Sequence, residues 1–445
     1  MSIKVIGAGL AGCEAAWQIA QAGVQAELYE MKPHKYSPAH QSPHFSELIC
    51  SNSLKAERVE SAAGLLKEEM RRLGSLLMPC ADACRVPAGG ALAVDRNDFS
   101  EMVTKKIAEH PLIQVHQEEV TEIPQDGITV IATGPLTADA LADRISSLCG
   151  GSLSFFDAAA PIVTAESLVM ERIFAASRYG KGEDDAYLNC PMNKEEYERF
   201  YDALVSAERA PVHEFDIADQ KVYEGCMPVE VMAGRGHDTL RFGPLKPVGL
   251  RDPNTGHRPW AVVQLRREDK TGTLYNLVGF QTNLKFGEQK RVFGMIPGLE
   301  NAEFTRYGVM HRNTFLNSPK ILQSDYSMRS NPNIFFAGQI TGVEGYMESA
   351  SSGIMAGINA VRRMNGQETL TLPQTTMIGS LSRYVAWGGE ADFQPMGANF
   401  GIMPALDPPV RDKKLRYAAF SARALQDLEQ IRTAFGLTKK VEVLQ

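Results

Sequence analysis

The chain opens with Ile3-Lys4-Val5-Ile6-Gly7-Ala8-Gly9-Leu10-Ala11-Gly12, a short apolar run passing directly into three glycines spaced G-x-G-x-x-G. Cys13 to Ala22 then reads as a helix. In such a turn the first glycine permits the tight bend, the second lets a pyrophosphate approach the backbone, and the third lets helix and strand pack closely. Phosphates settle at the helix N-terminus, where unpaired N–H groups and the macrodipole favour negative charge. A second apolar run, Ala26-Glu27-Leu28-Tyr29, ends at Glu30, where the pattern expects an acid to accept from ribose hydroxyls. A glycine-rich turn by itself is an ordinary strand-to-helix loop. Strand, helix, second strand and acid in one register instead point to a dinucleotide-binding unit contacted by Gly7, Ala8, Gly9, Leu10, Ala11, Gly12 and Glu30.

The 445 residues suffice for two or three domains with sizeable cores. A hydrophobic fraction of 44% and a charged fraction of 22% are those of an ordinary globular protein. The net charge of −7 argues against nucleic-acid binding by bulk charge but leaves room for a local basic face. The apolar N-terminal segment is too short for a secretory h-region, and no stretch has the length of a membrane span. Seven cysteines without dense spacing predict reduced thiols and a cytoplasmic location.

Further along, Met31 to Phe45 is rich in Pro, His and Ser and reads as a loop over the cofactor. Ser51, Asn52 and Ser53 are all good N-caps, so Cys50 is expected just before a helix. One helix is predicted over Gly64–Met78, with Leu66, Met70, Leu73 and Leu77 on one face and Glu68 and Arg72 spaced i,i+4 on the other. Val86–Arg96 reads as a turn and a strand, with Asn97 or Asp98 capping the next helix, and Val115–Ile123 alternates like a strand. Ile128 to Ile131 is a buried strand running into Ala132-Thr133-Gly134-Pro135. From about Ser152 short strands and longer loops replace the doubly wound pattern. Among them Asn193 caps a helix carrying Tyr197, Tyr201 and Leu204 on one face. At Ile334-Phe335-Phe336-Ala337-Gly338 the opening style returns, followed by a small-residue helix and a last helix near Arg411–Phe435. The reading is an α/β fold: a Rossmann-like domain of residues 1–151 and 309–445, interrupted by an α+β insertion of residues 152–308.

Gly7–Gly12 with Glu30, Ile131–Gly134 and Phe335–Gly338 together resemble FAD-binding flavoproteins of the glutathione-reductase type. Those proteins commonly carry an Asp after the late glycine. Gln339 stands there instead, as in the tRNA-modifying flavoproteins related to the wobble-uridine enzyme. Within that group, Glu47–Ser53, Val86–Arg96, Glu224-Gly225-Cys226-Met227-Pro228, Met310–Phe315 and Gly338–Ser349 resemble the folate- and FAD-dependent tRNA (uracil-5-)-methyltransferases, the TrmFO family. The similarity runs from residue 1 to about 405.

The resemblance implies FAD held by the glycine turn, Glu30, Arg96, Thr133, Gly134, Gly338, Gln339 and Gly345. It further implies 5,10-methylenetetrahydrofolate as one-carbon donor, NADPH or NADH as reductant, and the T-loop uridine of tRNA as substrate, converted to 5-methyluridine. Uracil C5 is a poor nucleophile, and a thiolate added at C6 makes it reactive, so such an enzyme needs a reactive Cys. Cys50 suits the part if a helix start lowers its pKa; as an isolated thiol it would be a small buried hydrophobe. Cys226, between Gly225 and Met227-Pro228, would be a structural loop residue. The resemblance places both in essential-cysteine motifs, Cys50 as nucleophile and Cys226 as its partner in removing the C5 proton, with exchanged roles as the alternative. Cys13, Cys80, Cys84, Cys149 and Cys190 carry no such motif, and the C-x-x-x-C spacing of Cys80 and Cys84 makes no metal site.

The remaining candidates are polar. Arg96 is either a phosphate or flavin contact or a surface ion pair with Asp95 or Asp98. The resemblance makes His311 and Arg312 candidates for folate or RNA contact, and Lys285, Lys290, Arg291 and the run Arg411–Arg416 could meet tRNA phosphates. Two enzymatic rivals remain. A flavin-dependent thiol/disulfide oxidoreductase would need a redox cysteine pair and usually a second nicotinamide-binding unit. A wobble-uridine tRNA-modifying flavoprotein would carry a further C-terminal helical region. A non-enzymatic tRNA chaperone is disfavoured by the two cysteine motifs.

Overall fold

The computed structural model describes residues 2–37, 39–151, 153–180, 186–210, 227–389 and 393–437. The opening strand, Ser2–Ile6, lies at the centre of a five-stranded parallel sheet. Its order is Ile334–Phe336, Ile128–Ile131, Ser2–Ile6, Gln25–Glu30 and Ile113–Gln117. Strands covered on both faces read as unbroken apolar runs, and Ile128–Ile131 and Ile334–Phe336 are buried at every position. The late strand pairs in register with the middle one, Phe335 opposite Val130, so chain from beyond residue 330 completes a sheet begun at residue 2.

The helices after the two glycine turns seal this return. Leu10–Gln21 packs against Tyr346–Met364, which is buried from Met347 through Val361. The axes approach closely because the later helix offers small residues: a Cβ on Gly353 would overlap the Ala11 carbonyl oxygen.

Between residues 162 and 306 the chain builds a separate six-stranded antiparallel sheet. Its order is Phe174–Ala175, Tyr187–Met192, Ala261–Arg267, Leu274–Leu277, Ile162–Thr164 and Phe304–Arg306. Helices Lys194–Val205 and Phe286–Phe293 bury Tyr197, Phe200, Leu204, Val292 and Phe293 in its core. Asn193 caps the first of these in a reciprocal capping box with Glu196, as its position predicts. One core therefore gathers residues 3–145 and 316–428, and a second gathers residues 163–302. The outgoing strand Leu153–Ala158 pairs antiparallel with the returning strand Met310–Phe315 between them.

Three local expectations are corrected. Gly64–Met78 is not one helix but two, Ala62–Arg72 and Leu77–Ala83. Gly74 at φ +76° ends the first, and the Glu14 carboxylate accepts from the N–H groups of Leu76 and Leu77 at 3.0 and 3.1 Å, satisfying the start of the second. The helix Arg96–Ala108 is capped by Asp95, which accepts from the Asn97 and Asp98 amides, not by Asn97 or Asp98. The strand predicted over 115–123 is Ile113–Gln117, because pairing with Gln25–Glu30 ends there. The Glu68–Arg72 pair forms as spaced, at 3.0 Å, and the last helix spans Lys413–Ala434 with Ala424 and Leu428 buried.

Candidate active site

The glycine turn forms one wall of a cleft at the C-terminal edge of the parallel sheet, the position at which such sheets take ligands. Gly7 adopts φ +98°, and a Cβ there would lie 2.7 Å from the Ala132 carbonyl oxygen, so the turn and the Ala132-Thr133 backbone touch. A Cβ on Gly12 would overlap the Gly7 carbonyl oxygen, so Gly12 closes the turn from behind without lining the cleft. The helix N-cap is Gly9, which has no capping side chain, and no acid stands in the first turn. That leaves amide N–H groups and the positive end of the helix directed at the cleft.

Glu30 is buried on the same wall. Its Oε2 accepts the Ala8 amide at 2.8 Å and its Oε1 the Lys32 amide at 3.0 Å, which fixes the carboxylate beside the turn. Each oxygen keeps a second lone pair for a hydroxyl donor. Thr133 and Gly134 line the opposite side, with the Thr133 hydroxyl 2.6 Å from that of Thr137. Gly338 and Gln339 line the far end. The Gly338 amide is donated to Ser352 Oγ at 2.7 Å, and the Gln339 side-chain amide to Glu344 Oε2 at 2.6 Å. Met31, Lys32 and His40 bring the Pro/His/Ser-rich loop to the cleft as well.

Cys50 lines this cleft, but not for the reason its sequence context predicts. No helix begins at Ser51–Ser53. Ser53–Ala56 is instead a strand paired antiparallel with Ala91–Val94. The Asn52 side chain, a good cap by type, is taken by tertiary acceptors, the carbonyls of Val94 at 3.1 Å and Arg267 at 2.8 Å. The surroundings of Cys50 come from elsewhere. Tyr346, at the start of the late helix, places its hydroxyl oxygen 2.9 Å from the Cys50 amide, 3.2 Å from the Ser51 amide and 3.2 Å from Cys50 Sγ. Burial, and then the neighbouring sulfur, push the Tyr346 phenol well above its usual range, so it keeps its proton.

Guanidiniums hold the loop from the other side. Arg266, buried at the end of an inserted-sheet strand, donates to Asn52 Oδ1 and Ser51 Oγ, each at 2.8 Å. Arg96 donates to the carbonyls of Leu48 and Ile49 and pairs with Glu268 at 2.5 Å. Arg96 thus neither lines the cleft nor pairs with Asp95 or Asp98, because a buried carboxylate of the inserted sheet meets it first. Gly345 also stays out of the cleft, as the positive-φ cap (φ +123°) of the late helix beside Lys55 and Glu348. Cys226, with Glu224 and Gly225 of its motif, lies outside the described residues, as do the side chains of His311 and Arg312.

Sequence reasoning passed over Tyr346, although it ends the glycine-rich run Gly342-Val343-Glu344-Gly345, and it passed over Arg266 and Glu268, which carry no motif. Of the basic clusters, Lys285 and Arg291 are paired with Glu208 and Glu288. Cys13, Cys80, Cys84 and Cys190 are buried, and burial pushes the thiols of Cys13 and Cys80 up to about 12. Among the described residues no cluster of three metal-ligating groups occurs, and no helix is long and apolar enough to cross a membrane.

The chain as a whole resembles known proteins. The family model described as glucose inhibited division protein A matches residues 2–368. A methylenetetrahydrofolate–tRNA-(uracil-5-)-methyltransferase TrmFO of Desulfitobacterium hafniense is 62% identical over 437 residues, covering 98% of this chain and 99% of that protein. The protein of that name from Acetivibrio thermocellus is 61% identical over 429 residues, covering 96% and 98%. Among solved structures, GidA of Aquifex aeolicus superposes with a TM-score of 0.72 at 17% identity, over 99% of this chain and 74% of that one, which is a likeness of fold. Matched by that model over most of its length and by these relatives almost end to end, the chain belongs to the glucose inhibited division protein A family and, within it, to the TrmFO family of methylenetetrahydrofolate–tRNA-(uracil-5-)-methyltransferases.

Proposed function

We propose that the protein methylates C5 of the T-loop uridine of tRNA, taking the one-carbon unit from 5,10-methylenetetrahydrofolate, with FAD as bound cofactor and NADPH or NADH as reductant. The observation that carries this reading is Cys50: among the described cysteines it alone lines the cleft formed by the glycine turn. A uracil methylase needs a thiol at such a place, and relatives bearing that activity in their names share 57–62% of their residues with this chain.

The residues present suit FAD. The uncapped helix start at Gly9–Ala11 offers amides to a pyrophosphate, the backbone at Gly9 is open to close approach, and the Glu30 oxygens can take ribose hydroxyls. Thr133, Gly134, Gly338 and Gln339 would border the rest of the cofactor. Gly12 supports the turn from behind, and Arg96 and Gly345 act through the Cys50 loop and the late helix. Reduced FAD supplies the hydride that turns the transferred one-carbon unit into a methyl group.

The chain's own steps are thiol chemistry. The Cys50 sulfur adds to uracil C6, which makes C5 nucleophilic toward the one-carbon unit. Cys226 then takes the C5 proton as the one-carbon unit parts from its carrier nitrogen, and hydride addition to the exocyclic methylene so formed restores the C5–C6 double bond and expels the Cys50 sulfur. Exchanged roles for the two cysteines are separated by single Cys→Ala variants mixed with T-loop RNA carrying 5-fluorouridine. A covalent adduct with Cys50→Ala would move the nucleophile to Cys226. We divide the chain into a cofactor domain of residues 1–151 and 309–445 and an insertion of residues 152–308, and place the protein in the cytoplasm with its tRNA substrate. Nucleoside analysis of tRNA incubated with enzyme, methylenetetrahydrofolate and NADPH tests the whole reading: 5-methyluridine is expected, and its absence overturns it.

A further inference from the structure

We infer that Tyr346 is a positioning residue for Cys50, its hydroxyl proton committed to the Cys50 sulfur by two backbone amides that occupy its oxygen. The inference rests on reading Cys50 as a reacting thiol. A phenol has one proton to donate and two lone pairs to accept with. The Cys50 amide at 2.9 Å and the Ser51 amide at 3.2 Å both donate to the Tyr346 oxygen, and each amide has only that direction available. The third neighbour, Cys50 Sγ at 3.2 Å, is where the O–H must point. The phenol therefore serves as a donor held in place by the backbone of the residue it acts on.

A thiolate is the nucleophilic form of a cysteine, and a donor fixed on the sulfur favours it over the thiol. Three guanidiniums also act electrostatically on the sulfur. Arg96 stands at the start of the helix Arg96–Ala108, Arg266 in the inserted sheet, and Arg306 in the strand Phe304–Arg306. Glu268 offsets part of that charge through Arg96. Those guanidiniums remain when the phenol is removed, so a Tyr346→Phe comparison isolates the hydroxyl. Phenylalanine keeps the ring packing and also deprives the Cys50 and Ser51 amides of their acceptor.

The test is the pH dependence of Cys50 alkylation by iodoacetamide in the full-length protein, with Cys50 followed by peptide mass mapping. Tyr346→Phe is expected to move the midpoint of the rate profile up by roughly one to two pH units, the scale of a hydrogen bond to a charged acceptor. An unmoved midpoint would overturn the inference. Because the orphaned amides could loosen the loop, a second variant carries 3-fluorotyrosine at position 346 alone. The more acidic phenol keeps both amide bonds and donates more strongly, so its midpoint should fall below the wild-type value. A rise, or no change, in the fluorinated protein would again overturn the role. None of these readouts needs tRNA or folate. A wild-type protein that forms no 5-methyluridine yet shows both shifts would lose the proposed function and keep the Tyr346–Cys50 pair.

Discussion

Replacing Glu268 by Gln removes one carboxylate and leaves two buried guanidiniums without their shared counter-charge. The Glu268 side chain is 3% exposed and that of Arg96 14%, and Arg266 is 7% exposed two residues before Glu268. Removing one partner of a buried pair costs about 3–5 kcal/mol, because the remaining charge is neither solvated nor paired. Arg96 keeps the carbonyls of Leu48 and Ile49 as acceptors, which places the expected loss near the lower end, about 3 kcal/mol. On the scale of a 150–250-residue unit that lowers the unfolding midpoint by roughly 6–12 °C. Differential scanning calorimetry of Glu268→Gln reads it directly. The companion variant, Arg96→Leu with Glu268→Leu, removes both charges and should recover part of the loss, since a well-packed apolar pair avoids the desolvation penalty. The same contact holds the backbone just before Cys50, so Glu268→Gln should also change the rate of Cys50 alkylation. A midpoint within 2 °C of wild type, together with an unchanged alkylation rate, would refute the view that this pair joins the inserted sheet to the Cys50 loop.

Other perturbations address the frame around the site. Gly12→Ala forces a methyl group onto the Gly7 carbonyl oxygen and should destabilise the fold by about 1–3 kcal/mol while releasing FAD, read from protein-bound flavin absorbance after gel filtration. Asp95→Ala removes the acceptor for the Asn97 and Asp98 amides and should cost about 1 kcal/mol in chemical denaturation. Burial raises Glu14 to about 7 and Glu69 to about 8 from the usual 4.5, so the fold retains protons that the unfolded chain has already released. Their contribution is therefore greatest below pH 4.5 and is lost as pH rises through 7 to 8. Thermal midpoints should fall between pH 5 and 8, and Glu14→Gln with Glu69→Gln should flatten that fall; a slope that is the same in the double variant would contradict the assignment. In native protein at pH 8, iodoacetamide should modify Cys50 well before Cys13 or Cys80, whose thiols are buried and pushed up to about 12.

Much of the cofactor cleft was legible in the chain. The glycine spacing, the apolar strands and Glu30 are short-range patterns, and each carries its conformation locally: a turn that only glycine fits, a helix start without a capping side chain, a strand ending in an acid. The return of Ile334–Phe336 could be recognised because it repeats the same local grammar. Where reading failed, a distant partner had outcompeted a local preference. Asn52 and its neighbours favour a helix start by type, yet Asn52 bonds to Val94 and Arg267 and the chain runs on as a strand. Gly64–Met78 has one continuous apolar face, yet Glu14 from the first helix satisfies a second helix start within it.

A dinucleotide site in a Rossmann-like unit can be read from the chain alone, because that information resides in residues a few positions apart. What surrounds Cys50 is set by long-range packing. Its phenol partner lies 296 residues away at Tyr346, and Arg96, behind it, finds its carboxylate 172 residues on at Glu268. No periodicity or spacing encodes such contacts. They exist because the late helix packs on the first one and the inserted sheet reaches back over the loop, so the sulfur's chemistry is set by the fold rather than by its neighbours in the chain.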